Sequence, residues 1–526
     1  MAGGLTRRAL SAGAIAAAVV GCRQQTAASA LPPARWVDAA QARGHRLRDA
    51  KSGALPAAAV QRRAQVLVVG AGIAGLAAAR AFAQLGVDDV QLLELDDAPG
   101  GNSRGHVLAG IPCPQGAHYL PLPGPQAREV NAWLHEIGLL TTHLGRTVPE
   151  ERHLCHSPQE RLFIDGAWAE GLLPPADPGS ATQAQYQRFA AAVAQAQALG
   201  FALPSLRAAW TPAHTALDAV TFATWLASQG LDDAHLRWYL DHCCRDDYGA
   251  GSAQVSAWAG LHYFASRHGF HAPGDAPADG EREPVFTWPE GNAWLVQRLA
   301  APLGGRLHTG RTALQVVEQR HGVQVLAWDE RLQQLEQWQA ASVVLAVPVF
   351  VAARLLQSPP TALQQAAQQL QYAPWLVANV HVDRPLLDRP GAPPSWDNLV
   401  YGSTGLGYVD AMHQSLRAVP GPTVISCYCA LQPAQRAALL AGDAPGWAQV
   451  ALQDLLPVHP DLPARARQVD LARWGHGMAI PAPGVRSSPF LAALRAQRGR
   501  VRFAHSDLCG SSVFEEAFTI GHLAAG

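Results

Sequence analysis

Lysine is almost missing from this chain, because Lys51 is the single lysine among 526 residues. Charged residues make up only 15% of the sequence, and the formal net charge is −1. Such a neutral chain does not favour binding to nucleic acid or to anionic surfaces in general. No apolar run is long enough to cross a bilayer. The 48% of apolar residues instead indicate a globular protein with more than one domain.

The cysteines form no framework. Seven of the eight lie beyond the N-terminal segment, an odd number that leaves at least one free thiol, and no spacing resembles a disulfide scaffold or a zinc site. The stretch 241–247, DHCCRDD, groups potential metal ligands, but neighbours on a helix point about 100° apart and do not converge on one ion. We expect no metal site there. A core stripe is expected instead, formed by Leu236, Leu240, Cys243 and Cys244.

The first 22 residues have the pattern of an export signal. Residues 6–10, TRRAL, form a twin-arginine region, and a weakly apolar stretch follows at 11–21. Residues 19–22, VVGC, match a lipoprotein cleavage box in which Cys22 would carry the lipid. We therefore expect twin-arginine export of the folded protein and a lipid anchor on the periplasmic side of the membrane. The alternative is an alanine-rich tail with a chance arginine pair.

A glycine loop follows the first strongly apolar run of the chain, residues 66–69. This run suits a buried parallel strand. In the sequence GAGIAG, Gly70 permits a tight turn, Gly72 lets a pyrophosphate approach the backbone, and Gly75 lets the next helix pack close to the strand. The free N–H groups of the helix, which begins near Ile73 and Ala74, favour phosphate. The alternative is a glycine-rich turn without a ligand.

An acidic residue completes the dinucleotide pattern. The second apolar run, residues 90–93, ends at Glu94, about 20 residues after the last glycine, where a ribose hydroxyl is held. An acid at this position favours FAD or NAD over NADP.

Several segments resemble the flavin-containing amine oxidase superfamily. The loop 99–104, PGGNSR, contains Gly100, Gly101 and Arg104 and resembles the GG-x-x-R loop along the cofactor. Residues 501–507 and 512–521 resemble the closing motif, and 288–292 and 342–348 resemble two further FAD-domain segments. The resemblance implies FAD as cofactor, with Asp507 on its ribityl chain. The cysteine that carries covalent flavin in some members has no counterpart, so we expect noncovalent FAD.

The resemblance implies an α/β fold with a Rossmann-type FAD-binding domain built from residues 63–150, 281–350 and 465–526. An inserted substrate domain of mixed sheet and helix is expected from 151–280 and 351–464, and 23–62 are expected to form a tether followed by a loosely packed lead-in. Within these pieces we expect helices at 186–199 and 222–244, a strand at 376–382, and a hairpin of 314–318 and 323–326.

The catalytic signals are weaker than those for the cofactor. Many relatives have a flavin-proximal lysine on the strand that here spans 375–380, and this chain has no lysine there. Several relatives also hold the amine between two aromatic rings beside the flavin, and the corresponding segments of this chain, 474–480 and 513–514, contain no tyrosine. His118 and His476 are candidates for contact with flavin or substrate, because imidazole titrates near neutral pH. A packed, structural histidine is the alternative for each. The aromatic stretch 395–410 either lines a pocket or packs as a core hairpin.

Three functions fit these patterns. The first is an FAD-dependent oxidoreductase that takes two electrons from a small organic substrate, with an amine as the class that the resemblance indicates. The second is a flavin desaturase or isomerase for a lipid or isoprenoid, which tolerates loss of the lysine. The third is a non-catalytic FAD-binding envelope lipoprotein. The electron acceptor has no sequence signal.

The lipid anchor gives a first test. Replacing the thiol in Cys22→Ser removes the only atom to which the cleavage-box lipid can attach, so the variant should move from the membrane to the soluble fraction. Fractionation of cells that express either form measures this. Equal membrane retention of both forms would rule out the anchor.

Overall fold

The structure, a computed structural model, describes residues 31–37, 40–50, 55–267, 269–272, 284–415, 417 and 419–526. The predicted export signal and Cys22 lie outside these ranges.

Twenty-one strands and 16 α-helices make up the described chain. The strands are β1 Ala34–Trp36, β2 Val60–Val69, β3 Val90–Leu93, β4 Gly105–Leu108, β5 Ile111–Pro114, β6 Tyr119–Pro121, β7 Leu140–His143, β8 Arg146–Pro149, β9 Glu160–Ile164, β10 Ala167–Glu170, β11 Val285–Thr287, β12 Leu307–His308, β13 Arg311–Gln319, β14 Gly322–Asp329, β15 Gln334–Leu345, β16 Tyr372–Val382, β17 Asp397–Val400, β18 Tyr408–Asp410, β19 Thr423–Ala430, β20 Ala466–Ala479 and β21 Val501–Phe503. The helices are α1 Gln41–Ala50, α2 Ile73–Gln84, α3 Arg128–Glu136, α4 Ala181–Ala198, α5 Pro212–Asp218, α6 Phe222–Ser228, α7 Ala234–Tyr248, α8 Ala257–Ala265, α9 Ala293–Ala300, α10 Val349–Leu355, α11 Thr361–Gln369, α12 Arg436–Ala441, α13 Ala444–Leu452, α14 Leu462–Arg465, α15 Pro489–Ala496 and α16 Phe514–Leu523.

Two large sheets organise the fold. The first has seven strands in the order β12-β3-β2-β15-β14-β13, with β21 paired to the end of β15. In it, β12, β3, β2, β15 and β21 are parallel. The second has eight strands in the order β1-β20-β16-β19-β18-β17-β9-β10. The predicted α/β fold is therefore confirmed.

Local sequence patterns account for much of the first sheet. The apolar run 66–69 lies between β3 and β15 and is buried on both faces, as a parallel strand requires. The predicted hairpin is confirmed, because β13 and β14 pair antiparallel across residues 320 and 321. In the second sheet, β16 contains the predicted strand 376–382 and is buried almost throughout, since β19 and β20 flank it.

The predicted helix 222–244 is two helices. The first, α6, ends before Gly230, which has a φ of +62°, and the side chain of Asp233 accepts the Leu236 N–H to begin α7. The expected core stripe on α7 is confirmed, since its four members are buried in one cluster with α4 and α8.

Three elements lie elsewhere than the sequence suggested. Strand β20 begins the segment 465–526 assigned to the FAD domain, but it pairs with β16 and β1 in the second sheet. Residues 34–36 and 41–50, within the expected tether and loosely packed lead-in, form β1 and α1. Strand β20 has 14 residues that mix apolar and charged side chains, so only its partners decide in which sheet it lies. No described helix is long and apolar enough to cross a bilayer.

Candidate active site and cofactor cavity

A cavity of about 760 Å³ opens at the carboxyl ends of the parallel strands in the first sheet. Its walls include the residues that end or follow β2, β3, β15 and β21. This is the edge at which open α/β sheets bind ligands.

The glycine loop shapes one wall of this cavity. Gly70 has a φ of +100°, and a Cβ on it would lie 2.5 Å from the Ala346 carbonyl oxygen. A Cβ on Gly75 would lie 1.9 Å from the Gly70 carbonyl oxygen, whereas one on Gly72 would meet nothing within 4 Å. The loop therefore leaves open space against the backbone at the start of α2. Ile73 and Ala74 also line the cavity there.

Glu94 lies at the end of β3 on the same cavity. Its carboxylate accepts the N–H groups of Ala71 and Asp96, each at 2.9 Å. Burial raises the pKa of Glu94 in spite of these hydrogen bonds. The acid is thus held beside the glycine loop, where the ribose of a dinucleotide would lie.

The loop after Glu94 folds over the glycines. Gly100 and Gly101 have φ values of +129° and +54°, and the Gly100 N–H donates to the Ala71 carbonyl oxygen at 2.9 Å. Arg104 forms an ion pair with Asp96 and lines the cavity. The φ of Gly100 is accessible to glycine and strained for any residue with a Cβ, and the left-handed φ of Gly101 also favours glycine, which explains the GG pair.

Asp507 is fully buried and lines the cavity farther along. Its Oδ2 accepts the Tyr372 hydroxyl at 2.5 Å and the Val349 N–H at 2.9 Å. Burial opposes its ionisation, but His505 and these hydrogen bonds together hold the pKa of Asp507 below its ordinary value. His505 Nδ1 lies 3.1 Å from Oδ1, and when this nitrogen is unprotonated it accepts the Asp507 N–H and leaves Oδ1 without a donor.

These residues fit FAD. The open glycine loop suits the pyrophosphate, Glu94 a ribose, and the unpaired Oδ1 of Asp507 is a buried acceptor for which a ribityl hydroxyl would be a donor. Each predicted cofactor residue lies on or directly beside this cavity.

A smaller cavity of about 150 Å³ adjoins the large one on the side of the second sheet. Both cavities are lined by Asn102, Ala117, Trp474, Gly477, Ser512, Val513 and Phe514. The glycine loop would hold the pyrophosphate and Asp507 the ribityl chain. The isoalloxazine end of the cofactor would therefore lie at the wall that the two cavities share.

Residues 114–119 form the floor between the cavities and are held by three strands of the second sheet. Asn379 Nδ2 donates to the Pro114 carbonyl oxygen at 2.9 Å, and Trp474 Nε1 donates to that of Gln115 at 2.8 Å. The Tyr428 hydroxyl donates to the Gly116 carbonyl oxygen at 3.1 Å. A site built in this way is rigid on the substrate side.

His118 lies on this floor, inside the smaller cavity. Its ring stacks on Tyr428 with 4.4 Å between centroids and lies 5.5 Å from Trp396. Burial lowers the pKa of His118 to about 3. The imidazole is therefore neutral at physiological pH and can serve as a hydrogen-bonding group without adding charge.

Three carboxylates and one guanidinium line the smaller cavity: Asp246, Asp247, Glu515 and Arg267. Asp247 and Arg267 form an ion pair at 3.1 Å. The Tyr119 hydroxyl donates to Asp246 at 3.0 Å. Burial and the neighbouring Asp247 raise the pKa of Asp246 to about 6, and burial raises that of Glu515 to about 7 against the attraction of Arg267. At neutral pH the cavity thus carries an excess of negative charge.

The structure does not bring the two histidine candidates together. His476 lies on the large cavity against Phe350, with 4.6 Å between ring centroids, and burial lowers its pKa to about 4. On the lysine-free strand, Trp375 and Val377 line the smaller cavity. Trp396, in the aromatic stretch, packs in the core and lines neither cavity. Within the described residues, no cluster of His, Cys, Asp or Glu suits a metal ion.

Comparison with known families agrees with this geometry. The profile of the family described as flavin containing amine oxidoreductase matches residues 73–526. The chain belongs to this family. Its cofactor is FAD.

A curated relative from Mycobacterium tuberculosis, named "Putative flavin-containing monoamine oxidase AofH", is 27% identical over 290 residues. The matched stretch covers 54% of this chain and 56% of that protein, so the chain spans about half the length of the curated relatives it matches.

Solved structures share the fold at low identity. A putrescine oxidase, wild type bound to putrescine, has a TM-score of 0.65 at 18% identity and covers 88% of this chain and 98% of its own. The cyclohexylamine oxidase of Brevibacterium oxydans has a TM-score of 0.63 at 17% identity, with the same coverage. A fatty acid isomerase from P. acnes has a TM-score of 0.59 at 16% identity and covers 87% and 97%.

Sequence reasoning missed the acidic wall and Tyr428. In the sequence, Asp246 and Asp247 stood out only within the stretch 241–247, where we expected a core stripe and no metal site, and Glu515 only as part of the closing motif. Tyr428 lies on β19, a strand that the sequence did not single out. Residues so distant in the chain share no local pattern, so only the fold brings them together.

Asp507 gives a direct test of the cofactor cavity. In Asp507→Asn the amide oxygen can still accept the Tyr372 and Val349 donors, but an NH2 group replaces the unpaired acceptor. We expect the Kd of the apoprotein for FAD to rise roughly tenfold, since a charge-assisted hydrogen bond is lost. Titration with FAD fluorescence measures it. Asp383→Asn, at a surface ion pair with Arg467, is the control. If the wild type and both variants bind FAD with equal affinity, Asp507 does not contact the cofactor.

Proposed function

We propose that this protein is an FAD-dependent oxidoreductase that oxidises a small amine. The acidic, aromatic cavity beside the expected isoalloxazine end carries the proposal. Arg267 forms its ion pair with Asp247, so it compensates the charge of Asp246 and Glu515 only in part. A cationic ammonium compensates buried carboxylates far better than a neutral or anionic substrate does.

The cavity walls add to this preference. Trp375, Tyr428 and Trp474 line it, and aromatic rings attract cations through their faces. His118 remains uncharged and so does not repel an ammonium. When bound, FAD supplies the two-electron acceptor that the family uses.

The chain's own residues would bind the amine and take its proton. Oxidation at the carbon beside nitrogen requires the unprotonated amine. Glu515, with a pKa of about 7, can accept a proton from a bound ammonium at its carboxylate, and the low-dielectric site favours this neutralisation. Asp246, held by Tyr119, would orient the substrate.

A lipid desaturase or isomerase is the second candidate, and the fatty acid isomerase among the structural neighbours supports it. The acidic wall and the 150 Å³ volume disfavour a long-chain carboxylate, because like charges repel in a low dielectric. We further propose that FAD is noncovalent and that the enzyme works on the periplasmic side, anchored through Cys22. The sequence motifs support both points.

The ionisation of Asp246 and Glu515 predicts how amine binding depends on pH. Both have raised pKa values, so they ionise as the pH rises from about 5 to 8, and the Kd for a short alkylamine should fall over this range. In Glu515→Gln and Asp246→Asn the Kd at pH 8 should rise roughly tenfold each and the pH dependence should flatten. Perturbation of the flavin spectrum under anaerobic conditions measures binding, and bleaching measures reduction.

Two controls accompany this experiment. The alcohol of the same chain length should bind with the same affinity to all variants, and the surface variant Glu318→Gln should behave as the wild type. Amine binding that is independent of pH and of both acids would contradict the proposal. Bound flavin that no amine reduces would favour the non-catalytic alternative.

A further inference from the structure

The N-terminal segment before the FAD domain is placed where it can act on the cofactor. The family match begins at residue 73, and the sequence predicted a tether and a loosely packed lead-in at 23–62. We propose that α1, Gln41–Ala50, is part of the FAD-binding site: it closes the adenosine half of the large cavity and slows the release of the cofactor.

Helix α1 forms one wall of the large cavity. Its contribution consists of Gln41, Gly44, His45, Leu47 and Arg48, with Ala40 just before it. The residues after β3, which include Glu94, line the same cavity beside α1. Since Glu94 marks the ribose position, α1 covers the adenosine half and not the ring half.

The helix is attached to the ribose loop itself. Arg43 donates to the Leu95 carbonyl oxygen at 3.2 Å and to both carboxylate oxygens of Asp97, at 2.9 and 3.1 Å. These two acceptors follow Glu94 by one and three residues. Movement of α1 therefore displaces the loop that carries the ribose acid.

A second attachment joins α1 to the hairpin of the first sheet. Arg46 donates to both carboxylate oxygens of Glu330, at 2.8 and 3.1 Å, and its guanidinium lies over the Trp328 ring at 5.3 Å. Leu47 is buried in the core of that sheet. Before the helix, β1 is fixed to the second sheet by Arg35, which binds both carboxylate oxygens of Asp470.

These attachments are few, so the helix can open without unfolding the protein. A ten-residue helix is not stable alone in water, and partly exposed ion pairs contribute little each. Elements held in this way open at low free-energy cost and commonly gate a ligand. The rate of FAD release should therefore follow the stability of α1.

Two variants at Gly44 test whether the rate of FAD release follows the stability of α1, because one should stabilise the helix and the other should destabilise it. A Cβ at Gly44 meets nothing within 4 Å, so Gly44→Ala fits and should strengthen the helix, slowing FAD release about threefold. Gly44→Pro removes the hydrogen bond from the Gly44 N–H to the Ala40 carbonyl oxygen and should speed release roughly tenfold. Arg43→Ala combined with Arg46→Ala should speed it roughly three- to tenfold.

The readout is the rise of free-FAD fluorescence after dilution of the full-length holoprotein, which needs no substrate. Arg467→Ala, which removes a surface ion pair on the second sheet, is the matched control and should release FAD at the wild-type rate. If the proline variant and the double arginine variant also release FAD at that rate, α1 is not part of the site. Failure of amine oxidation would leave this result unaffected.

Discussion

The site depends on the segment 114–119, whose backbone is held by the second sheet and by the loop that covers the glycines. Asn379, Tyr428 and Trp474 of the second sheet all donate to its carbonyl oxygens, while the backbone oxygen of Asn102, in that loop, accepts the Ala117 N–H. Such buried hydrogen bonds to the backbone are costly to leave unmade, so they fix the second sheet relative to the loop along the cofactor cavity. The cofactor cavity therefore adjoins the smaller cavity along the wall that the two cavities share.

Charge inside the smaller cavity supports the proposed amine substrate. Asp246 and Glu515 are buried with raised pKa values, and the arginine of the cavity pairs with Asp247. A bound cation would compensate these buried carboxylates. In the proposed reaction, the proton of the substrate passes to Glu515, a step that needs no lysine.

The sequence predicted well what depends on neighbouring residues. The strand, glycines and acid from 66 to 94 and the hairpin of β13 and β14 are local, and their spacing carries their geometry. It predicted poorly what depends on distant pairing. Strand β1 is held through Arg35 and Asp470, and no periodicity in either segment points to the other. The acidic wall was hidden for the same reason, because α7 and α16 meet only in the folded chain.

The most direct test of this account is a crystal structure of the protein with FAD bound. The account predicts adenosine beneath α1 with its ribose at Glu94, the ribityl chain at Asp507, and the isoalloxazine ring beside Gly477 and Phe514, facing Glu515. A cofactor that is bound elsewhere, or a ring that faces away from the acidic cavity, would contradict it.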